Sequence, residues 1–179
     1  KASKLLIVED DECERMSMVA LIGSEDVETT AVGSVEEALD ALDRGHFDCM
    51  VLDLTLSPSD GSACADRDRS ATTSGFELLE RMARRPDLRS LPVIVYTGRE
   101  LSTQEETRLK KFARSIILKD ARSPERLLAE TTLFLHRVEA QLPQPKRRML
   151  QNVGGPVSGF QGKRVLIVDD DVRNIYALS

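Results

Sequence analysis

The residues with most to offer chemically are a run of three acids, Glu9, Asp10 and Asp11, then Asp53, the pair Thr97-Gly98, and Lys119. Clustered carboxylates repel one another, and a hard divalent cation relieves the repulsion. Mg²⁺ accepts one or two carboxylates, keeps several waters and takes phosphate oxygens. A carboxylate is also a nucleophile toward phosphorus, with an aspartyl phosphate as product. Such a site needs positive charge and donors for the phosphoryl oxygens, which a metal, Lys119 and Thr97 would supply. Taken one at a time, each residue has a plainer use. Asp10 or Asp11 would cap a helix, Asp53 would cap a turn, Thr97 would bond a loop amide, and Lys119 would be solvated. Gly98 beside Thr97 would leave room for a phosphoryl donor. The pattern gains specificity only if the fold delivers all of them to one crevice.

Short apolar runs at 4–8 (KLLIV), 26–32, 48–54, 92–97 and 115–119 alternate with longer amphipathic stretches at 11–22, 34–44, 75–85, 102–113 and 124–142. Four of the short runs are dense in Val, Ile or Leu, as strands covered on both faces would be, and the more polar 26–32 suits a sheet edge. Ser34 with Glu37 and Ser102 with Glu105 have the spacing of capping boxes. Pro124 suits a first helical turn, and Gly45 and Pro86 mark helix ends. Five β/α alternations predict an α/β fold, a doubly wound five-stranded parallel sheet. In such sheets ligands bind beyond the carboxyl ends of the strands. The first run ends in Glu9, Asp10 and Asp11, the third at Asp53, the fourth at Thr97 and the fifth at Lys119, so one rim is predicted to collect them.

On these residues the chain resembles the receiver domain of two-component response regulators, including those of hybrid histidine kinases. The resemblance covers about 4–142, and SGFELL at 74–79 matches the start of the family's third helix. It implies a flavodoxin-like receiver fold of strand order 2-1-3-4-5. It implies that Asp53 is the phosphoacceptor and that Glu9 and Asp10 organise Mg²⁺ together with Asp53 and the carbonyl of Thr55. Thr97 would be the switch hydroxyl and Lys119 the phosphate-sensing lysine. The implied partners are a histidine kinase or phosphotransfer domain, expected in the same parent chain. The pattern is altered at three places: Asp120 follows the lysine where proline is usual, Ile116 stands where an aromatic is usual, and Ser57 replaces a proline.

Two segments interrupt the alternation. The polar stretch 57–74 is longer than the few residues expected after a strand and reads as an insertion within a receiver of residues 1–142. The stretch 143–162 reads as an interdomain linker. Beyond it, RVLIVDDD at 164–171 repeats KLLIVEDD at 4–11. An LIV strand followed by three acids, twice, predicts that 163–179 is the truncated start of a second, adjacent receiver. A first residue of Lys1 rather than Met suggests an excised fragment.

The bulk composition agrees. A net charge of -5, with aromatics at 4% and no Trp, argues against a nucleic-acid binder and its stacking platforms. No apolar run approaches the length of a membrane span, and no signal peptide is visible. Cys13, Cys49 and Cys64 fit neither a zinc nor a disulfide framework and read as reduced thiols of a cytoplasmic protein. His46 and His136 stand alone, the latter within the last helix. Two other functions stay open: a pseudo-receiver that binds protein or ligand without phosphorylation, and a phosphohydrolase with an aspartyl nucleophile. The second is disfavoured because Thr55 occupies the place of its usual second Asp.

Overall fold

The computed structural model describes residues 2–56, 74–120, 122–136 and 142–153. Apart from Ser74, the expected insertion at 57–74 lies outside these residues, as do Cys64, 154–162 of the expected linker and the whole of 163–179. Strands β1 (Ser3–Val8), β2 (Val27–Val32), β3 (Cys49–Leu52), β4 (Val93–Thr97) and β5 (Ser115–Leu118) form one sheet in the order β2-β1-β3-β4-β5. Every pairing is parallel. Each strand falls on a predicted apolar run to within two residues. The polar second run is an edge strand, as its composition requires.

Side-chain alternation divides the strands between two cores. Leu6, Val8, Met50, Leu52, Val93 and Val95 pack under helices α2 (Val35–Arg44), α3 (Ser74–Ala83) and α4 (Thr103–Leu109). Leu5, Ile7, Cys49, Val51, Ile94 and Ile117 pack under α1 (Glu12–Ile22) and α5 (Ser123–Phe134). The central strands are apolar throughout because both of their faces are covered. No helix among the described residues is long and apolar enough to cross a membrane.

The helix starts follow the sequence closely. Ser102 and Glu105 form a complete capping box. At α2, Ser34 accepts from the Glu37 N–H, but the Glu37 carboxylate reaches the N–H of Gly33 rather than that of Ser34. The helix ends depart more. α4 stops at Leu109 instead of running to residue 113, because the Phe112 and Ala113 N–H groups both bond the Leu109 carbonyl in a tight turn. That turn buries Leu109 and leaves five residues to reach β5. α5 stops at Phe134, not at 142, and His136 lies beyond it with φ of 52°. This is a left-handed C-terminal geometry for which the sequence offers no glycine. The first half of the stretch expected as a linker is a helix, α6 (Gln144–Val153), packed on α5. Its Lys146 donates to the carbonyl of Gly23 at the end of α1 at 2.6 Å, where a cation meets the negative end of the helix dipole. Helix formers continue to Val153, and the Gly/Pro-rich composition begins only at Gly154.

A close approach of one backbone to another lies beneath the carboxyl end of β3. A Cβ built on Gly75, in the first turn of α3, would stand 2.7 Å from Leu54 Cα and 2.8 Å from the Asp53 carbonyl oxygen. Neither is a flexible chain end that could yield. Gly75→Ala is therefore expected to cost about 1–3 kcal/mol of stability by forcing α3 off the sheet. The loss would appear as a lower urea midpoint at unchanged m-value. An unchanged midpoint would show that α3 is not held at this distance.

Candidate functional site

The carboxyl rim of the sheet is held by ladder bonds that run one residue past the strands. The Glu9 N–H donates to Val32 O at 3.1 Å, that of Asp53 to Val8 O at 2.9 Å, and that of Lys119 to Thr97 O at 2.8 Å. The three residues that close on one another thus share the rigidity of the sheet. They meet at the β1/β3 junction, where the strand order reverses and an open α/β sheet forms its crevice.

Lys119 is the centre. Its Nζ lies 2.7 Å from Asp53 Oδ2 and 3.0 Å from Glu9 Oε2, and it also donates to Glu14 Oε2. Asp53 is 5% exposed and Glu9 2%. The second oxygens are engaged as well: the Thr55 N–H donates to Asp53 Oδ1 at 2.9 Å, and the Asp11 N–H to Glu9 Oε1 at 3.2 Å. Burial pushes the Glu9 carboxyl up to about 7; the Lys119 hydrogen bond opposes the rise and the Asp53 charge adds to it. For Lys119, burial works against the charge. Hydrogen bonds to Asp53, Glu14 and Glu9 outweigh it and hold the ammonium above the usual lysine range.

The acids after β1 divide their tasks. Asp11 is the N-cap of α1 and accepts from the Glu14 N–H at 2.8 Å, which is the plainer of the two uses its position suggests. Glu9 turns into the site. Arg15 steadies the corner by donating to the carbonyls of Glu9 at 2.7 Å and Asp10 at 3.2 Å. Asp10 is half-buried in the adjoining position, and its carboxylate is not one of the three that converge. Those belong to Glu9, Asp53 and Glu14, whose oxygens all lie within 4.8 Å of one another. An all-oxygen, excess-negative donor set of this kind suits a hard divalent cation. Glu14 was not singled out in the sequence. Its signal was its place in the first turn of α1, three residues after the cap, which sets it on the rim side of the helix.

The remaining candidates adjoin this centre. Thr55 is exposed and contributes its N–H to Asp53. Thr97 is fully buried and its hydroxyl accepts from the Arg99 N–H at 3.3 Å. A Cβ on Gly98 would sit 3.7 Å from Lys119 Cδ, an ordinary contact, so packing here does not demand a glycine. Asp120, where the resemblance leads one to expect proline, builds the β5–α5 turn by hydrogen bonds. Its carboxylate accepts from the Arg122 N–H and its carbonyl from Ser123 Oγ, both at 2.8 Å. Ser123 Oγ also pairs with the Tyr96 hydroxyl at 2.9 Å. Ile116 packs against the α4-side core. Cys49 is walled in, its thiol pushed up to about 12 by burial, and is inert.

The Glu9 carboxyl makes stability pH-dependent. Its folded value of about 7 lies above the ordinary 4.5, so the folded state holds that proton more tightly than the unfolded chain does. The resulting stability is complete below pH 4.5 and is lost as pH rises through 7. Glu9→Gln removes this one titration. In metal-free protein, the difference in urea midpoint between wild type and variant should therefore change between pH 4.5 and 7.5, with wild type losing ground as pH rises. A constant difference across that window would show that Glu9 ionises normally.

Comparison with known proteins bears on the fold and the family. A search of curated protein sequences finds no significant match. Among solved structures, a CheY-like response regulator receiver domain protein from Methanospirillum hungatei JF-1 is 24% identical, with a TM-score of 0.59 over 76% of this chain and 95% of its own. The phosphorylated cyanobacterial phytochrome response regulator RcpA is 18% identical, with a TM-score of 0.61 over 75% and 95%. The Mn²⁺-bound form of response regulator Rcp1 is 19% identical, with a TM-score of 0.60 over 79% and 99%. At these identities the structures speak for the fold. The family model for the response regulator receiver domain matches residues 5–132, most of the chain and every residue of the rim. The chain belongs to the response regulator receiver domain family.

Proposed function

We propose that this receiver takes a phosphoryl group from a phosphohistidine onto Asp53, with Mg²⁺ held at the acidic rim. The observation that carries the proposal is the buried Asp53 carboxylate with the Lys119 ammonium 2.7 Å away, beside the converging Glu9 and Glu14. An Asp53 oxygen attacks phosphorus, and the bond from phosphorus to the donor imidazole breaks. The imidazole nitrogen keeps the electron pair. Lys119 balances charge on the phosphoryl oxygens, and the Thr55 N–H holds Asp53 in one orientation. Glu9, Asp10, Asp53 and the Thr55 carbonyl are the proposed holders of Mg²⁺, which when bound would neutralise charge on the transferring group. The Mn²⁺ in the related Rcp1 structure supports a divalent cation here.

The conformational response is assigned to Thr97. Its hydroxyl accepts from the Arg99 N–H and carries an O–H of its own to donate to a phosphoryl oxygen, a contact that would bias the loop before α4 toward a second arrangement. Hydrolysis of the acyl phosphate would return the domain to its starting state. Receiver domains work with histidine kinases or phosphotransfer proteins. The repeat of the LIV-acid motif at 164–171 supports a parent with adjacent receivers, a hybrid histidine kinase acting on the cytoplasmic side.

Intact mass measurement after treatment with acetyl phosphate and Mg²⁺ tests the proposal. Wild type should gain about 80 Da, as expected for a phosphoryl group on a carboxylate nucleophile. Asp53→Asn, and wild type in excess EDTA, should gain nothing. Folded wild type without an adduct would favour the pseudo-receiver instead.

A further inference from the structure

We infer that Glu14 is a displaceable latch on Lys119, occupying in the resting domain the hydrogen bond that a phosphoryl group on Asp53 must take over. The inference rests on the phosphoacceptor role of Asp53. An ammonium has three N–H donors, and the three of Lys119 go to Glu9, Asp53 and Glu14. A phosphoryl oxygen therefore gains Lys119 only by displacing one of them. The partners differ in how readily they leave. The side chains of Glu9 and Asp53 are 2% and 7% exposed, that of Glu14 52%. A released Glu9 would be a buried, unpaired charge; Asp53 loses its charge once phosphorylated, but its buried acyl carbonyl, released, would be left without a hydrogen bond. A released Glu14 turns into the open cleft between α1 and the β5–α5 turn, which it lines with Ser17, Tyr96 and Asp120, and water solvates it. The backbone of Glu14 is tied to the Asp11 cap, so the side chain can leave and return without moving α1.

Displacement opposes phosphorylation by the strength of one half-exposed ion pair. Glu14→Gln should raise the initial rate of acetyl phosphate labelling by about two- to fivefold at saturating Mg²⁺, the range such pairs span. Glu12→Gln removes the same charge from the same turn of α1 without touching Lys119, and should label like wild type. In the metal-free protein, the Lys119 ammonium resonance in ¹H–¹⁵N spectra should shift in Glu14→Gln and stay put in Glu12→Gln. Equal acceleration in both variants would assign the effect to net charge and overturn the latch. So would an unchanged rate in Glu14→Gln, or an unmoved Lys119 resonance. Absence of any adduct on all three proteins would instead overturn the phosphoacceptor reading, and the latch with it.

Discussion

One ammonium surrounded by three carboxylates sets the terms for the rest of the rim. Glu9 and Asp53 are almost fully buried, and buried carboxylates are stable only when paired and hydrogen-bonded. Lys119 supplies the positive charge for both. Even so, burial, with the Asp53 charge adding to it, outweighs the Lys119 hydrogen bond and leaves Glu9 near 7, and three acids face the one lysine. The rim is therefore charged in excess by construction. Such an all-oxygen, acid-rich group is of the chemical kind that suits a hard divalent cation.

A site of this kind must be held to within about 0.5 Å, and the sheet supplies that rigidity. The ladder bonds from Glu9, Asp53 and Lys119 to the neighbouring strands place each residue directly after its strand. Rotation and slippage there would break backbone hydrogen bonds. Below the rim, Gly75 lets α3 lie against the Asp53–Leu54 backbone, joining the scaffold on one face to the site. Above it, Asp11 caps α1 and Arg15 clips the corner after β1, so the helix that carries Glu14 starts at a fixed height. The lower part of the same helix receives Lys146 of α6 at its carboxyl end, so α1 is fastened at both ends.

The departures from the usual receiver pattern at Asp120 and Ile116 are absorbed locally. A proline after the lysine would restrict the backbone by covalent geometry. Here Asp120 does the equivalent with its carboxylate and carbonyl, and Ser123 and Tyr96 continue the hydrogen-bond chain. Ile116, in place of an aromatic, is half-buried against the α4-side core and pairs in register with Val95 of β4. Neither the Asp120 nor the Ile116 side chain is a hydrogen-bond partner of the Asp53, Glu9 or Lys119 side chains, so the pairing at the rim is unaffected.

The five strands were legible from residue order alone because each is a short apolar run whose two-sided burial leaves a strong local signal. Asp53, Thr97 and Lys119 were legible because an α/β sheet sends the end of every strand to one rim, so position in sequence implies position in space. Strand order came only by resemblance, since periodicity carries no information about neighbours. The ends of α4 and α5 and the whole of α6, read from sequence as linker, were not legible. They depend on a tight turn that buries Leu109, on a left-handed His136 where no glycine signals it, and on packing of α6 against α5. Glu14 was missed for a related reason. Its partner Lys119 is 105 residues away, and one exposed glutamate in a first helical turn looks like any other until tertiary contact brings a cation to it. Local chemistry chose the elements and the reactive residue types; only the closed sheet decided which carboxylates would share one ammonium.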